Sequence, residues 1–143
     1  MPVPRTTAGL IATLAAAAAL ASGCAQARQV TDGVQTAANT AEVCAKSTAA
    51  ITATFAEVSA AVRTAPRTGV TETQRTVAAD LGDLHDVLQP LIERAADPAV
   101  AGALRGVDDQ VSRWAGDPRS FLRTDPATVD QVTADLTKAC TPG

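Results

Sequence analysis

The chain has 143 residues, enough for one domain, with 19% charged side chains, a formal net charge of −3 and three aromatics, Phe55, Trp114 and Phe121. A nucleic-acid partner needs clustered Lys and Arg to displace phosphate counterions, and no such cluster occurs. With so few aromatic faces and no Tyr, base-stacking and sugar-binding platforms are poorly supplied as well.

The amino-terminal stretch does not read as domain. Arg5 is the only charged residue before Arg28, and Ala8 to Ala21 reads AGLIATLAAAAALA. A membrane-spanning helix needs about 20 consecutive apolar residues, and this run is too short. A basic residue, a short apolar core and small residues before a break describe a secretory leader. The break is Leu20-Ala21-Ser22-Gly23-Cys24. With Ala21, Ser22 and Gly23 directly before Cys24, the segment resembles the lipobox of bacterial lipoprotein precursors, which most often carry Leu where Ala21 stands.

The resemblance covers the leader and Cys24 only. It implies that the chain is cut before Cys24 and that Cys24 carries a diacylglycerol thioether and acyl chains such as palmitate. The partner so implied is a membrane, reached through the lipid anchor on the extracytoplasmic face. The alternative is an ordinary leader cut near Ala21, with Cys24 left as a free thiol. Cleavage before Cys24 leaves residues 24–143, and loss of Arg5 takes the charge from −3 to −4.

With Cys24 given to the lipid, Cys44 and Cys140 remain. Two thiols in one small extracytoplasmic domain usually pair, so a Cys44–Cys140 disulfide is expected. The other reading is two buried free thiols. Two Cys and one distant His do not make a four-ligand zinc site, so no metal and no cofactor is expected.

Residues 25–33 are small and polar and read as a tether. Starting within their end, Val30, Val34, Ala37, Ala41, Cys44, Thr48, Ile51, Phe55, Val58 and Val62 recur at alternating steps of four and three, one stripe of a helix. That helix is expected to stop near Arg63, before Pro66 and Gly69. A second helix carries Val77, Leu81, Leu84, Leu88 and Leu91, widened by Val87 and Ile92, with a kink or end at Pro90. Asp97-Pro98 opens a third helix, an N-cap acceptor followed by a ring preset to helical φ. Its stripe is Val100, Leu104, Val107, Val111 and Trp114. Phe121 and Leu122 are placed to plug the bundle end. Asp125-Pro126 opens the last helix, with Val129, Val132, Leu136 and Cys140 on one face.

The four rods are nearly equal at about 1.5 Å per residue and are joined by short loops, which predicts an all-α, antiparallel up-down four-helix bundle. In that topology Cys140 lies level with Cys44, in agreement with the expected disulfide. The predicted organisation is a signal peptide over 1–23, a lipidated amino terminus and tether over 24–43, and the bundle domain over 44–143.

Chemistry is thinly supplied. His85, the only histidine, has Leu81, Gly82, Leu88 and Gln89 on its own face, so no local dyad is written there, although a partner on another helix is open to it. Asp80, Asp83 and Asp86 step along one helix and form, with Asp108 and Asp109, an acidic strip read as a solvated face. Gly102 and Gly106 suggest close packing of a neighbour. No nucleophile–base set or phosphate loop stands out, so the chain is not expected to be an enzyme. Two functions remain in view. The first is a non-catalytic interaction module with a protein partner in the cell envelope. The second is a carrier of a small apolar ligand, lipid or haem-like, in a cavity near Phe55 or Trp114. Small secreted helical haem-binding proteins with a two-Cys bridge are loosely similar, but only His85 is left here to ligate iron, which disfavours that version.

Overall fold

A computed structural model describes residues 12–141, with side chains from Arg28 onward. Residues 1–11 and the side chains of residues 12–27, Cys24 among them, lie outside that description, and with them the leader and lipobox expectations. Among the described residues every regular element is a helix: α1 (Ala12–Thr68), α2 (Val70–Arg94), α3 (Pro98–Gly116), α4 (Pro118–Leu122) and α5 (Pro126–Cys140). No described helix is long and apolar enough to cross a membrane. The chain forms two compact units, residues 1–36 and 37–143.

In the first unit the described side chains are exposed. Val30 is 67% and Val34 64% accessible, so the stripe drawn through them is not buried there. The residues expected as a tether, 24–43, lie within α1.

The second unit holds the core. From α1 it takes Val43, Cys44, Ser47, Ile51 and Val58. The expected stripe is right at Cys44, Ile51 and Val58 but wrong at Ala41, Thr48 and Val62, which are exposed. Ser47 enters the core because its hydroxyl donates to the Cys44 carbonyl at 3.2 Å, which removes the cost of burying it. Packing starts before Cys44, at Asn39, whose side chain bonds to the far end of α2.

α1 does not stop near Arg63. It runs through Pro66 to Thr68, and the chain turns at Gly69 with φ +89°, a left-handed conformation that glycine adopts without steric cost. Gly69 is the whole connection between α1 and α2, in place of the longer loop expected. Pro90 likewise does not end α2, which continues to Arg94. Proline there forfeits one N–H to the Asp86 carbonyl, but Leu91 and Ile92 just beyond it are buried and hold the last turn in place.

α2 and α3 are the densest pair. The α2 leucines and Val77 are buried as their spacing predicts, while Val87 is exposed and does not widen the stripe. Every member of the predicted α3 stripe is buried. Asp97 caps α3, accepting from the Ala99 and Val100 amides at 2.7 and 3.3 Å, and Asp125 caps α5 through the Ala127 amide at 2.8 Å. α3 packs against both α2 and α5, and the short α4 touches α2 and α3.

α5 is the least buried long element: Leu136 is its only fully buried side chain, with Val129, Val132, Ala139 and Cys140 half-buried against the core. One buried Leu contributes about 1.5–3 kcal/mol. A helix of about 15 residues is marginal on its own in water. The remainder of its attachment is covalent, since Cys44 and Cys140 meet at disulfide distance with Cα atoms 5.7 Å apart across a sequence separation of 96. Closing so long a loop stabilises a fold by about 4–5 kcal/mol in the chain-entropy view.

Candidate functional site

Three places in the second unit gather polar or aromatic groups. The first joins α2 to α3. His85 and Gln89 lie one helical turn apart and both reach across to Asp108. The His85 Nδ1 lies 2.7 Å from Asp108 Oδ1, and Gln89 Nε2 donates to Asp108 Oδ2 at 2.7 Å. Asp108 is only 6% exposed, and its two oxygens are each met by a donor. Ser112, one turn beyond Asp108, places its Oγ 3.1 Å from the same His85 Nδ1.

This is the distant partner that the α2 sequence leaves open. It also removes Asp108 from the acidic strip, because its carboxylate points into the helix pair and not to solvent. The arrangement contains a serine, a histidine and an aspartate, yet it does not assemble a nucleophile. In a hydrolytic triad the base uses one ring nitrogen for the serine and the other for the carboxylate. Here both meet Nδ1. A nitrogen that donates its proton to Asp108 cannot also accept one from Ser112, whose oxygen instead shares that N–H. The chemistry available is structural: a buried carboxylate fully paired across two helices.

The second place is the groove between α1 and α2, lined by Glu57, Ala60, Ala61, Thr64, Thr68, Glu72, Thr73, Thr76 and Asp80. Asp80 is held above its ordinary value of 3.8 by partial burial first, then by the facing Glu57 and by Asp83. Glu72 is paired with Arg75 on the same helix. The buried Thr73 hydroxyl bonds to the Gly69 carbonyl at 3.0 Å and to Thr68 Oγ1 at 3.3 Å.

The third place collects all three aromatics. Trp114 stands edge-on to Phe121 with ring centroids 5.1 Å apart and edge-on to Phe55 at 6.4 Å, and Phe55 and Phe121 stack at 6.4 Å. Phe121 and Leu122 are half-buried against the core. An open groove of about 470 Å³ runs beside them between α1 and α5, lined by Phe55, Val62, Arg63, Phe121, Leu122, Pro126 and Val129 among others. A neighbouring groove continues along Ile51, Thr52, Val129, Thr133 and Leu136.

Among the described residues no three of His, Cys, Asp and Glu converge on a metal position. Gly102 and Gly106 do not serve close packing, because a Cβ at either would meet nothing within 4 Å. Asn39 was not distinguishable in the sequence, since a polar residue on an otherwise polar stretch carries no signal of the carbonyl it serves. No family model, no curated protein and no solved structure matches this chain.

Proposed function

We propose that this chain is a lipid-anchored, extracytoplasmic lipoprotein whose bundle, α1, α2, α3 and α5 in an antiparallel up-down arrangement, is a non-catalytic docking module for a protein of the cell envelope. The observation that carries the reading is the meeting of Cys44 and Cys140 at the two ends of the folded unit. A paired cysteine couple of this kind persists outside the reducing cytoplasm. With Cys44 and Cys140 paired, the remaining cysteine of the sequence is Cys24, directly behind Ala21, Ser22 and Gly23, where a lipobox places its lipid acceptor.

The docking role rests on two further features. The Ser112–His85–Asp108 group spends its hydrogen bonds on holding α2 to α3, which leaves no activated nucleophile in it. The α1–α5 side presents Phe55, Val62, Leu122 and Val129 along an open groove, the kind of apolar relief that a partner side chain or helix fills. The test is in-cell crosslinking from photoreactive residues at Val62, Thr52 and Thr133, followed by purification from envelope fractions. A discrete partner recovered from the groove positions, and lost when Phe55 is changed to Asp, supports the module. Equal labelling from all surface positions, with no discrete partner, removes it.

A second reading is favoured by one observation, the position of that same groove beside the aromatic cluster. A small apolar ligand seated there would touch Phe121, which lies 5.1 Å from Trp114. Titration with phospholipid or haem then quenches or shifts Trp114 emission, and a flat response rejects the carrier.

A further inference from the structure

We propose that the Cys44–Cys140 disulfide is a site of thiol–disulfide exchange with a dithiol reductant, and that opening it releases α5 as a strap while α2 and α3 stay folded. The inference does not depend on how Cys24 is modified.

Three observations converge on it. First, α5 places only Leu136 fully in the core, whereas α2 and α3 each place seven buried residues there. Second, the hydrogen bonds of the α5 hydroxyls stay at home. Thr133 donates to the Asp130 carbonyl and Thr137 to the Thr133 carbonyl, and the flanking Thr141 donates to the Thr137 carbonyl. By contrast α2 and α3 are tied through the doubly bonded Asp108. Third, Cys44 and Cys140 line an open groove walled by the small side chains of Ala45, Thr48 and Ala49, which gives an attacking thiolate a path to the bond. Cys44 is buried and Cys140, the last residue of α5, is the more accessible of the two. Segments with few buried apolar contacts are those that open at low free energy, and one covalent bond is what separates α5 from that class.

The exchange is balanced as follows. A thiolate of the dithiol attacks Cys140 Sγ, the Cys44–Cys140 bond breaks, and Cys44 leaves as a thiolate that takes up a proton. The second thiol of the reductant, giving up its proton, attacks the reductant's own sulfur in the mixed disulfide and expels the Cys140 thiolate, which is protonated in turn. The protein gains two electrons and two protons, and the dithiol becomes a disulfide. With its clamp gone, α5 lifts and uncovers the apolar faces that Val129, Val132 and Leu136 covered, Ile51 and Phe55 among them.

The test is hydrogen exchange on the full chain, oxidised and after treatment with dithiothreitol without denaturant, alongside the Cys44→Ala/Cys140→Ala variant. The expected result is reduction of the bond in the folded protein, with amides of residues 126–140 exchanging at least about 100-fold faster and those of residues 70–116 changing by less than about threefold. The variant reproduces the reduced pattern. The proposal is overturned by a bond that resists dithiothreitol until denaturant is added. It is overturned equally by α5 amides that keep their protection, by loss of protection in α2 and α3 together with α5, or by a variant that fails to fold.

Discussion

Asn39 holds the carboxyl-terminal end of α2 with both ends of its amide: Nδ2 donates to the Arg94 carbonyl at 3.0 Å, and Oδ1 accepts from the Ala96 amide at 2.8 Å. The last carbonyls of a helix have no partner within it, and the turn that follows leaves its own amides open. One side chain from α1 therefore finishes α2 and fixes the start of the connection to α3. Asn39→Ala is expected to lower stability by about 1–2 kcal/mol, since two backbone groups lose a partner at once. Asn39→Asp, which keeps the acceptor and loses the donor, is expected to fall between. Urea melts followed by circular dichroism decide this, and an unchanged midpoint for Asn39→Ala would show that solvent replaces the amide without cost.

Asp108 pairs two donors from α2 in a site almost closed to water. Asp108→Ala leaves both donors without their acceptor and is expected to cost about 1–3 kcal/mol. Ser112 is exposed and shares a hydrogen bond already made, so Ser112→Ala is expected to stay within about 0.5 kcal/mol. His85→Ala combined with Asp108→Ala is expected to cost less than the sum of the two single changes, because they remove the same contact. Additive losses in that cycle would contradict the pairing.

Asp80 contributes in the opposite sense. Partial burial, then Glu57 and Asp83, raise its carboxyl above the ordinary value of 3.8. A raised carboxyl binds its proton more tightly in the folded state, so its penalty is absent at low pH, where both states are protonated. The penalty grows as pH rises from the unfolded value through the raised folded one. Asp80→Asn is expected to stabilise the fold at neutral pH by under about 1 kcal/mol, reduced by solvent screening of a partly exposed group. The gain is expected to vanish as pH falls below the ordinary carboxylate range. A gain that persists unchanged in acid would assign the effect to something other than this charge.

The aromatic cluster gives an optical handle. Phe121 lies edge-on to Trp114, the only tryptophan. Phe121→Ala is expected to shift Trp114 emission to longer wavelength as water reaches the ring. It is expected to cost about 1–3 kcal/mol, less than a fully buried Phe because Phe121 is half-exposed. Emission identical to the parent would mean that Phe121 does not shield the indole.

Much of this architecture could be read in the chain. The Asp97-Pro98 and Asp125-Pro126 pairs mark helix starts because an acceptor side chain followed by a ring at helical φ has few other uses. The leucine ladder from Leu81 to Leu91 fixes the inner face of α2 because no other face of that helix is apolar enough to compete. The phase of α1 was less legible. Ala41 and Thr48 lie on one candidate stripe and Val43 and Ser47 on another, and in a segment of Ala, Thr, Ser and Val the hydropathies are too close to separate them. Only packing against α2 and α3 does so. Pro66 and Pro90 read as helix ends in the sequence yet lie inside helices, because the loss of one backbone bond at Pro90 is smaller than the packing of Leu91 and Ile92 beyond it, and the turn after Pro66 is made at Gly69. Asp108, Gln89 and Ser112 lie on two helices, and nothing in the order of residues states which acidic group along α3 faces His85.

The proposed fastening of a disulfide-closed bundle to a membrane through Cys24 is tested most directly by the intact mass of the protein extracted from membrane fractions. The expected species is a chain beginning at Cys24, carrying the added mass of a diacylglycerol thioether with or without a further acyl chain, and two mass units light for one Cys44–Cys140 bond. A chain beginning at any other residue, with no acyl mass and a free thiol at Cys24, would contradict it.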